Sequence, residues 1–493
     1  MPKSTSPIAV EESLRDFERT YCPFAHQIDG WSVWPVLRTT VAVRLQQLAL
    51  VRKGCALSRP QRIGFLLSDL WNFLRLRPSS CVAITATSYL TDRQEDVFRD
   101  IRFDDALERI PSAMKVEVIN NAGFLPRRRM AARPSTMTTT ALDVATSLCA
   151  RLRRPRCVKA VAALLTRDLQ AAFGPECCTG DGVEYQLTYF YWQKRWAKIL
   201  LRRAKPALLI VADPGEIAYV AAAKELGVSV IELQHGFLDG ITHPGYAWSA
   251  AVVPYQTTMA IPDQILLFGD VWKEGLDVNG FWGPRLKVVG NPRIDRFRAR
   301  RAQVRGLQGG REDRPTVMLV TTQGVDTPNV IKYIQAVLRD VTKKNLCVVV
   351  KLHPVYESSK DEYLTALGND RRVQIISGQE DPPTFELLCV ADVHVSISST
   401  CHYEAIALGV PTVILPLSGY EAMHYLYEQG HAILAGDEED FVAAVARCGE
   451  LGVSPAISER FFRPRALDHL YAEISQAIAE SRVANISVVV DTN

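Results

Sequence analysis

Three short runs place hydroxyl, imidazole and amide groups where apolar segments end. Residues 392–416 read DVHVSISSTCHYEAIALGVPTVILP, with Ser398, Ser399 and Thr400 in a row between an apolar segment and a helical one. Hydroxyls and unpaired backbone N–H groups at a helix start favour an anion. Capping explains one of the three hydroxyls, and two are left for a ligand. The run LCVVVKLHP (346–354) is apolar until Lys351, then delivers His353 and Pro354. Pro354 cannot donate to a ladder, so the strand stops there and the ring fixes how His353 points. A histidine at such a place can donate to a phosphate oxygen, and it can equally cap a turn. Alternation puts Lys351 on the same side as His353. The TTQG turn adds Thr322, Gln323 and Gly324, small or polar groups on a flexible backbone. Glu404, one turn into the helix after Thr400, is placed to accept from a ribose or base or to complement the helix dipole. Together these ends imply a nucleotide mono- or diphosphate ester as ligand. No G-x-G-x-x-G and no G-x-x-x-x-G-K-[ST] occurs, which disfavours dinucleotide redox chemistry and P-loop phosphoryl transfer.

The elements that must position these groups repeat along the chain. Short apolar runs alternate with helix-length segments: 81–87, 207–213, 228–234, 264–269 and 286–290, then 316–322, 346–354, 373–377, 392–398 and 411–416. Such alternation predicts strand–helix–strand units on parallel sheets. The polar stretch 298–315 between the two series reads as an interdomain connection. The expected organisation is α/β: an N-terminal Rossmann-like domain over 1–300, with a helical and peripheral start and a basic insert, a linker at 301–315, a second domain over 316–480, and a tail at 481–493. Ligands of such sheets bind beyond the carboxyl ends of the strands.

Composition sets the outer bounds. At 493 residues with 47% hydrophobic content, two or three domains are expected. Eleven cysteines without a C-x-x-C pair suit a reducing compartment. Acidic residues stand in the first 20 where a signal peptide would be apolar, so a cytoplasmic protein is expected. The stretch 240–262 lacks charge, but its prolines and polar residues interrupt a spanning helix. Between Pro126 and Lys205 there are 16 Lys or Arg against 5 Asp or Glu. Within it, residues 190–206 mix aromatics and cations, the composition of a helix at an anionic membrane interface or of a solvated helix with its aromatics inside. No nucleic-acid motif accompanies the charge. No histidine or cysteine spacing suits zinc, and no D-x-D pair suits a magnesium diphosphate, so no metal is expected.

The motifs KLHP (351–354), SISSTCHYEAIALGVPTVILP (396–416) and VVGNPRIDRF (288–297) resemble the C-terminal donor domain of GT-B glycosyltransferases, over roughly residues 205–480. The similarity is to bacterial capsule and lipopolysaccharide enzymes that use CMP-activated donors, such as Kdo- and sialyltransferases, and to CDP-glycerol glycerophosphotransferases. It implies two Rossmann-like domains facing across a cleft, and a metal-independent transfer from a CMP-activated Kdo or sialic-type sugar to a glycan or lipid-linked acceptor at the inner face of the cytoplasmic membrane. It also implies that His353 with Pro354, and Ser398 to Thr400, hold the nucleotide phosphate.

Glycosyl transfer needs a base for the acceptor hydroxyl, a role for His, Asp or Glu worth about 10²–10⁴-fold. His235 in LQHGFLDG (233–240) is the first candidate and resembles the histidine of the glycerophosphate polymerases; Asp239 and Glu232 follow. The acidic-acidic-Gly motif of sialyltransferases is reduced here to Asp239-Gly240, and His243-Pro244 shapes the loop wall. UDP- or GDP-sugar transfer, UDP-sugar 2-epimerisation and a non-catalytic assembly role stand as alternatives; for the epimerase, SISST replaces an expected SGG-like turn.

Overall fold

The computed structural model describes residues 6–46, 59–87, 91–94, 97–100, 104–110, 112–119, 137–212, 214–307, 314–340, 345–354, 356–357, 359–378, 380–448 and 453–490. Two all-parallel sheets organise it. The first contains β1 (Cys81–Thr87), β2 (Met114–Ile119), β3 (Met137–Thr138), β4 (Leu208–Val211), β5 (Ser229–Leu233), β6 (Gln264–Leu267) and β7 (Leu286–Val288), in the spatial order 7-6-5-4-1-2-3. The second contains β8 (Thr316–Thr321), β9 (Leu346–Lys351), β10 (Val373–Ile376), β11 (Val393–Ser396), β12 (Thr412–Ile414) and β13 (Ile433–Leu434), in the order 10-9-8-11-12-13. Each order reverses once, between β1 and β4 and between β8 and β11. Those are the switch points where a doubly wound sheet leaves a crevice at its carboxyl edge.

All ten apolar runs singled out above contain strands. β2 was not among them because Lys115 and Glu117 break its apolar pattern. Both are buried, the Lys115 ammonium lying 2.8 Å from Asp104 and 3.2 Å from Glu117. The helices that matter here are α1 (Pro7–Tyr21), α2 (Trp34–Leu45), α3 (Arg59–Leu74), α4 (Thr140–Leu152), α5 (Gly180–Ala204), α6 (Pro292–Leu307), α7 (Cys401–Ala407) and α8 (Ala466–Val490). Among the described residues, no helix is long and apolar enough to cross a membrane.

Several placements differ from the sequence reading. The start of the chain is not peripheral: Arg38 is buried, bonded at 2.9 Å to Glu11 and 2.6 Å to Glu18. Residues 301–307 of the expected linker are helical in α6, and 308–313 lie outside the described residues. Their arginines look solvated in sequence, yet Arg301 donates to the carbonyls of Leu388, Cys389 and Ala391, and Arg305 to those of Val390 and Ala391. Helix α8 begins inside the span assigned to the second domain but packs Leu470, Ile474 and Ile478 against Cys81, Ala83 and Leu208 of the first sheet. In the 190–206 stretch, Lys194 is buried against Asp29 and Glu225, Lys198 pairs with Glu225, and Arg195 pairs with Asp29 while stacking on Tyr191. Burial raises the Glu225 carboxyl, but bonds from Lys194, Lys198 and Trp31 outweigh this and hold it at about 2. Three of the six cations of that stretch are thus paired with acids of the protein.

The chain crosses between the sheets at α6 and again at 460–466. The second crossing runs so close to the first sheet that a Cβ on Gly269 would overlap the Arg460 carbonyl, and one on Gly290 the Arg463 carbonyl. Gly290 also sits at φ +94°, where side chains are strained. Gly290→Ala is therefore expected to cost about 3 kcal/mol of stability, read as a lowered urea midpoint. An unchanged midpoint would remove this close approach as a constraint.

Candidate functional site

At the switch point of the second sheet, three loops converge and are tied to one another. The Glu357 carboxylate accepts from the Thr322 hydroxyl and, at 3.0 Å, from the His353 backbone N–H, which joins the ends of β8 and β9. Gln323 Oε1 accepts from the Ser398 N–H at 3.0 Å and from its hydroxyl at 3.1 Å, which joins β8 to β11. Gly324 turns the chain close beside Tyr356 and Glu357 at φ +74°, a backbone conformation that residues with side chains rarely adopt. The sequence singled out Thr322, Gln323, Gly324, His353 and Ser398 separately; the structure brings them together.

His353 has a defined tautomer. Its Nδ1 accepts from the Tyr356 N–H at 3.2 Å, and its ring stacks on Tyr356 with centroids 4.4 Å apart. Burial pushes its pKa down to about 4. A neutral ring whose Nδ1 accepts carries its proton on Nε2. His353 is thus an uncharged donor, and Pro354 holds it by packing its backbone against Gly378.

The three hydroxyls divide their work. Ser399 Oγ accepts from Cys401 N–H at 3.2 Å and caps α7, Ser398 is held by Gln323, and Thr400 at the cap position makes no capping bond. Glu404 lies half-buried in the first turn of α7, against the Cys401 thiol. Lys351 does not join them, which corrects the expectation from alternation. The strand ends at this residue, and its buried ammonium turns to the carbonyls of Ser377 (2.8 Å) and Glu380 (2.6 Å). Burial pushes its pKa down to about 8.

Beneath the hydroxyl loops lies a buried relay that the sequence reading passed over. Thr321 Oγ1 bonds His394 Nε2 at 2.9 Å; His394 Nδ1 and His402 Nδ1 meet Thr412 Oγ1 at 2.8 and 2.6 Å. Both histidines are fully buried, and burial lowers them, His402 to about 3. The signal was a polar residue inside each of two otherwise apolar strands, His394 in β11 and Thr412 in β12. Glu357 carried no comparable signal, since it lies on a loop.

The first sheet contributes the facing side. Gln234 accepts from Phe268 N–H at 2.8 Å and donates to the Gly236 carbonyl at 2.9 Å, fixing the turn on which His235 stands. Asp239 is buried and accepts from the N–H groups of Ile241, Thr242 and His243 at 2.6–3.0 Å, so it organises its own loop. Glu232 is buried in β5 and accepts from the Tyr246 hydroxyl. Helices α1 and α2 grip the same loop: Arg15 donates to the Gly240, Ile241 and Ala247 carbonyls, and Arg38 to those of Pro244 and Ala247. His235 and His243 open on a cavity of about 590 Å³ walled by Tyr185, Tyr189, Phe190 and Trp248. Phe237 then reaches across to the second domain, with its ring 5.8 Å from Tyr403 of α7, and Trp272 packs on Tyr403 at 4.5 Å. Among the described residues, no three His, Cys, Asp or Glu side chains gather as metal ligands.

No family profile matches the sequence, and no curated protein does. Solved structures match it. UDP-GlcNAc 2-epimerase from Methanocaldococcus jannaschii is 14% identical, with 80% of this chain and 99% of that chain covered and a TM-score of 0.50. UDP-GlcNAc 2-epimerase from Neisseria meningitidis is 15% identical (82% and 99% covered, TM-score 0.44), and MurG from Acinetobacter baumannii 12% (81% and 100% covered, TM-score 0.46). The two facing parallel-sheet domains and the likeness to the first of these define the class: the chain has the GT-B fold.

The buried histidines set a pH dependence. Their folded pKa values lie below the ordinary 6.5, so the unfolded chain binds protons that the folded one refuses. Stability is complete above about pH 6.5 and falls as pH drops toward 4. His402→Gln should flatten that fall by up to about 1.4 kcal/mol per pH unit, measured by urea unfolding at pH 7 and 5. An unchanged slope would mean that His402 is protonated in the fold.

Proposed function

We propose that this chain is a glycosyltransferase that moves a sugar from a nucleotide donor, held at the β8/β11 switch point, to a hydroxyl in the cavity beside His235. The observation that carries this is the Phe237–Tyr403 contact: it sets the His235 loop against the helix that Ser399 and Thr400 begin. In this reading His235 takes the acceptor proton as the oxygen attacks the anomeric carbon, and the bond from that carbon to the phosphate oxygen breaks. His353 Nε2–H, the Ser399 and Thr400 hydroxyls and the Gly324 backbone N–H stabilise the departing phosphate by hydrogen bonds, with no metal cofactor, while Thr322 and Ser398, whose hydroxyls donate to Glu357 and Gln323, hold the cradle in shape. Glu404 reads the ribose. Asp239 and Glu232 position the base loop, since both carboxylates are engaged within it.

The donor in this proposal is a CMP-activated sugar of the Kdo or sialic type. Such a donor carries one phosphate charge, and the described strand-end groups include no cation: Lys351 is turned away, and Arg293 lies over the Phe385 ring. A diphosphate would ask more of this cradle. The acceptor is a sugar of a growing glycan or glycolipid, for which the tyrosine and tryptophan walls of the cavity supply apolar faces. Epimerisation is less favoured, because Glu232 and Asp239, the carboxylates nearest His235 in sequence, are tied up.

Thermal stabilisation by CMP, CDP, UDP and GDP tests the donor, because a ligand of the folded state raises stability by RT ln(1 + [L]/Kd). The largest shift is expected with CMP. A shift with UDP or GDP alone would overturn the nucleotide and keep the site. His235→Ala should retain the nucleotide shift and lose roughly 10²-fold or more in transfer; undiminished transfer would remove the base.

A further inference from the structure

Helix α3 carries its apolar stripe on the outside. Ile63, Leu67, Leu70, Trp71 and Leu74 recur at helical spacing and face solvent, with Leu67 at 62% and Leu74 at 67% exposed, while Phe65 and Asp69 face inward. A helix of a water-soluble surface shows the opposite arrangement. Its neighbour α4, tied to it through Asp69 and the Thr138 and Ala141 N–H groups, repeats the pattern with Val144, Leu148 and Leu152. Among the described residues of the two helices and the segments that leave them, the exposed charges are positive. Arg59, Arg62, Arg75, Arg77, Arg151 and Arg153 are exposed around these stripes, and Arg75 stacks on Trp71 at 3.8 Å. Each helix contains one acid, and neither faces out: Asp69 is buried, and Asp143 is bonded to Thr139 and Tyr189.

We infer that α3 and α4 form a docking face for an anionic lipid bilayer. Leucine, isoleucine and tryptophan side chains enter the acyl boundary while the arginines meet lipid phosphates. A second copy of the chain is disfavoured by the same rim, because a twofold contact would set arginine against arginine. The placement suits the proposed acceptor class. On the inner side of α4, Asp143 bonds Tyr189, a wall of the His235 cavity, so a lipid-linked sugar would arrive beside the pocket that receives it. This bearing on the acceptor rests on the transferase reading; the docking itself does not.

The test is flotation of the full chain, without nucleotide or acceptor, on vesicles of phosphatidylcholine alone and of phosphatidylcholine with phosphatidylglycerol. Capture by the anionic vesicles is expected, falling about tenfold or more in the double variant Leu67→Glu/Trp71→Glu. Lys198→Gln, on the 190–206 stretch and already paired with Glu225, should leave capture unchanged. Trp71→Phe, a mild change at an exposed position, should abolish part of the tryptophan quenching by brominated lipids seen in the parent chain. Absence of capture, capture unaffected by the double variant, or a solution dimer that this variant dissolves would each overturn the proposal. Turnover of a soluble acceptor by the double variant separates this outcome from failure of the transferase reading.

Discussion

One guanidinium stands where the two halves of the molecule are joined. Arg298 of α6 donates to the Ala407 carbonyl at the end of α7, and to the Ser458 carbonyl, the Ser458 hydroxyl and the Phe462 carbonyl on the returning segment, at 2.8–3.1 Å. A half-buried cation so shared desolvates at a cost that several good acceptors offset. Both crossings and the helix of the hydroxyl loop therefore meet at one side chain. The glycines at 269 and 290 permit the approach, and Asp295 fixes its end by accepting from Ala466 N–H at 2.7 Å. The facing of the two carboxyl edges, on which any chemistry between them depends, follows from this joint.

The two edges are built by different means. The second-sheet site offers neutral donors, a histidine kept uncharged by burial, hydroxyls, an amide and glycine backbone, beside the carboxylates of Glu357 and Glu404. Its order comes from short ties, Glu357 across β8 and β9 and Gln323 across β8 and β11, with the Thr321–His394–Thr412–His402 relay below them. The first-sheet side is held by charge instead. Arg15 and Arg38, from the first 40 residues, hold the loop after β5 by its carbonyls, and Glu11 and Glu18 pair with Arg38. Burial raises the Glu11 carboxyl to about 7 against the pull of Arg38, which shows how far this cluster is removed from water.

Much of this was legible in the sequence. Fully buried parallel strands are continuous apolar runs, so nearly all of both sheets could be read, and the polar residues that end those runs marked the second-sheet site. What could not be read were the groups whose partners come from afar. Lys351 looked like a ligand because alternation was carried past the end of its strand; it is instead the internal donor to a loop 26 residues on. The VVGNPRIDRF motif read as a family mark, and in space it forms the joint: Gly290 leaves room for the returning chain, Asp295 binds it, and Arg298, one residue beyond the motif, bonds it as well. The end of α6, residues 301–307, read as linker because arginines that bond carbonyls look the same, in sequence, as arginines in water. The basic, aromatic 190–206 stretch read either as a membrane contact or as a solvated helix with its aromatics inside, and the acids that pair with Lys194, Arg195 and Lys198, Asp29 and Glu225, lie outside that stretch.

The central claim is that a nucleotide occupies the strand ends of the second sheet, facing the His235 loop. Backbone hydrogen exchange of the full chain with and without a saturating nucleotide tests it directly. The account predicts slowed exchange at 322–326, 353–357 and 398–404, with a smaller effect at 235–243 across the cleft. Protection confined to the first sheet, or no protection at those three loops under saturation, would contradict it.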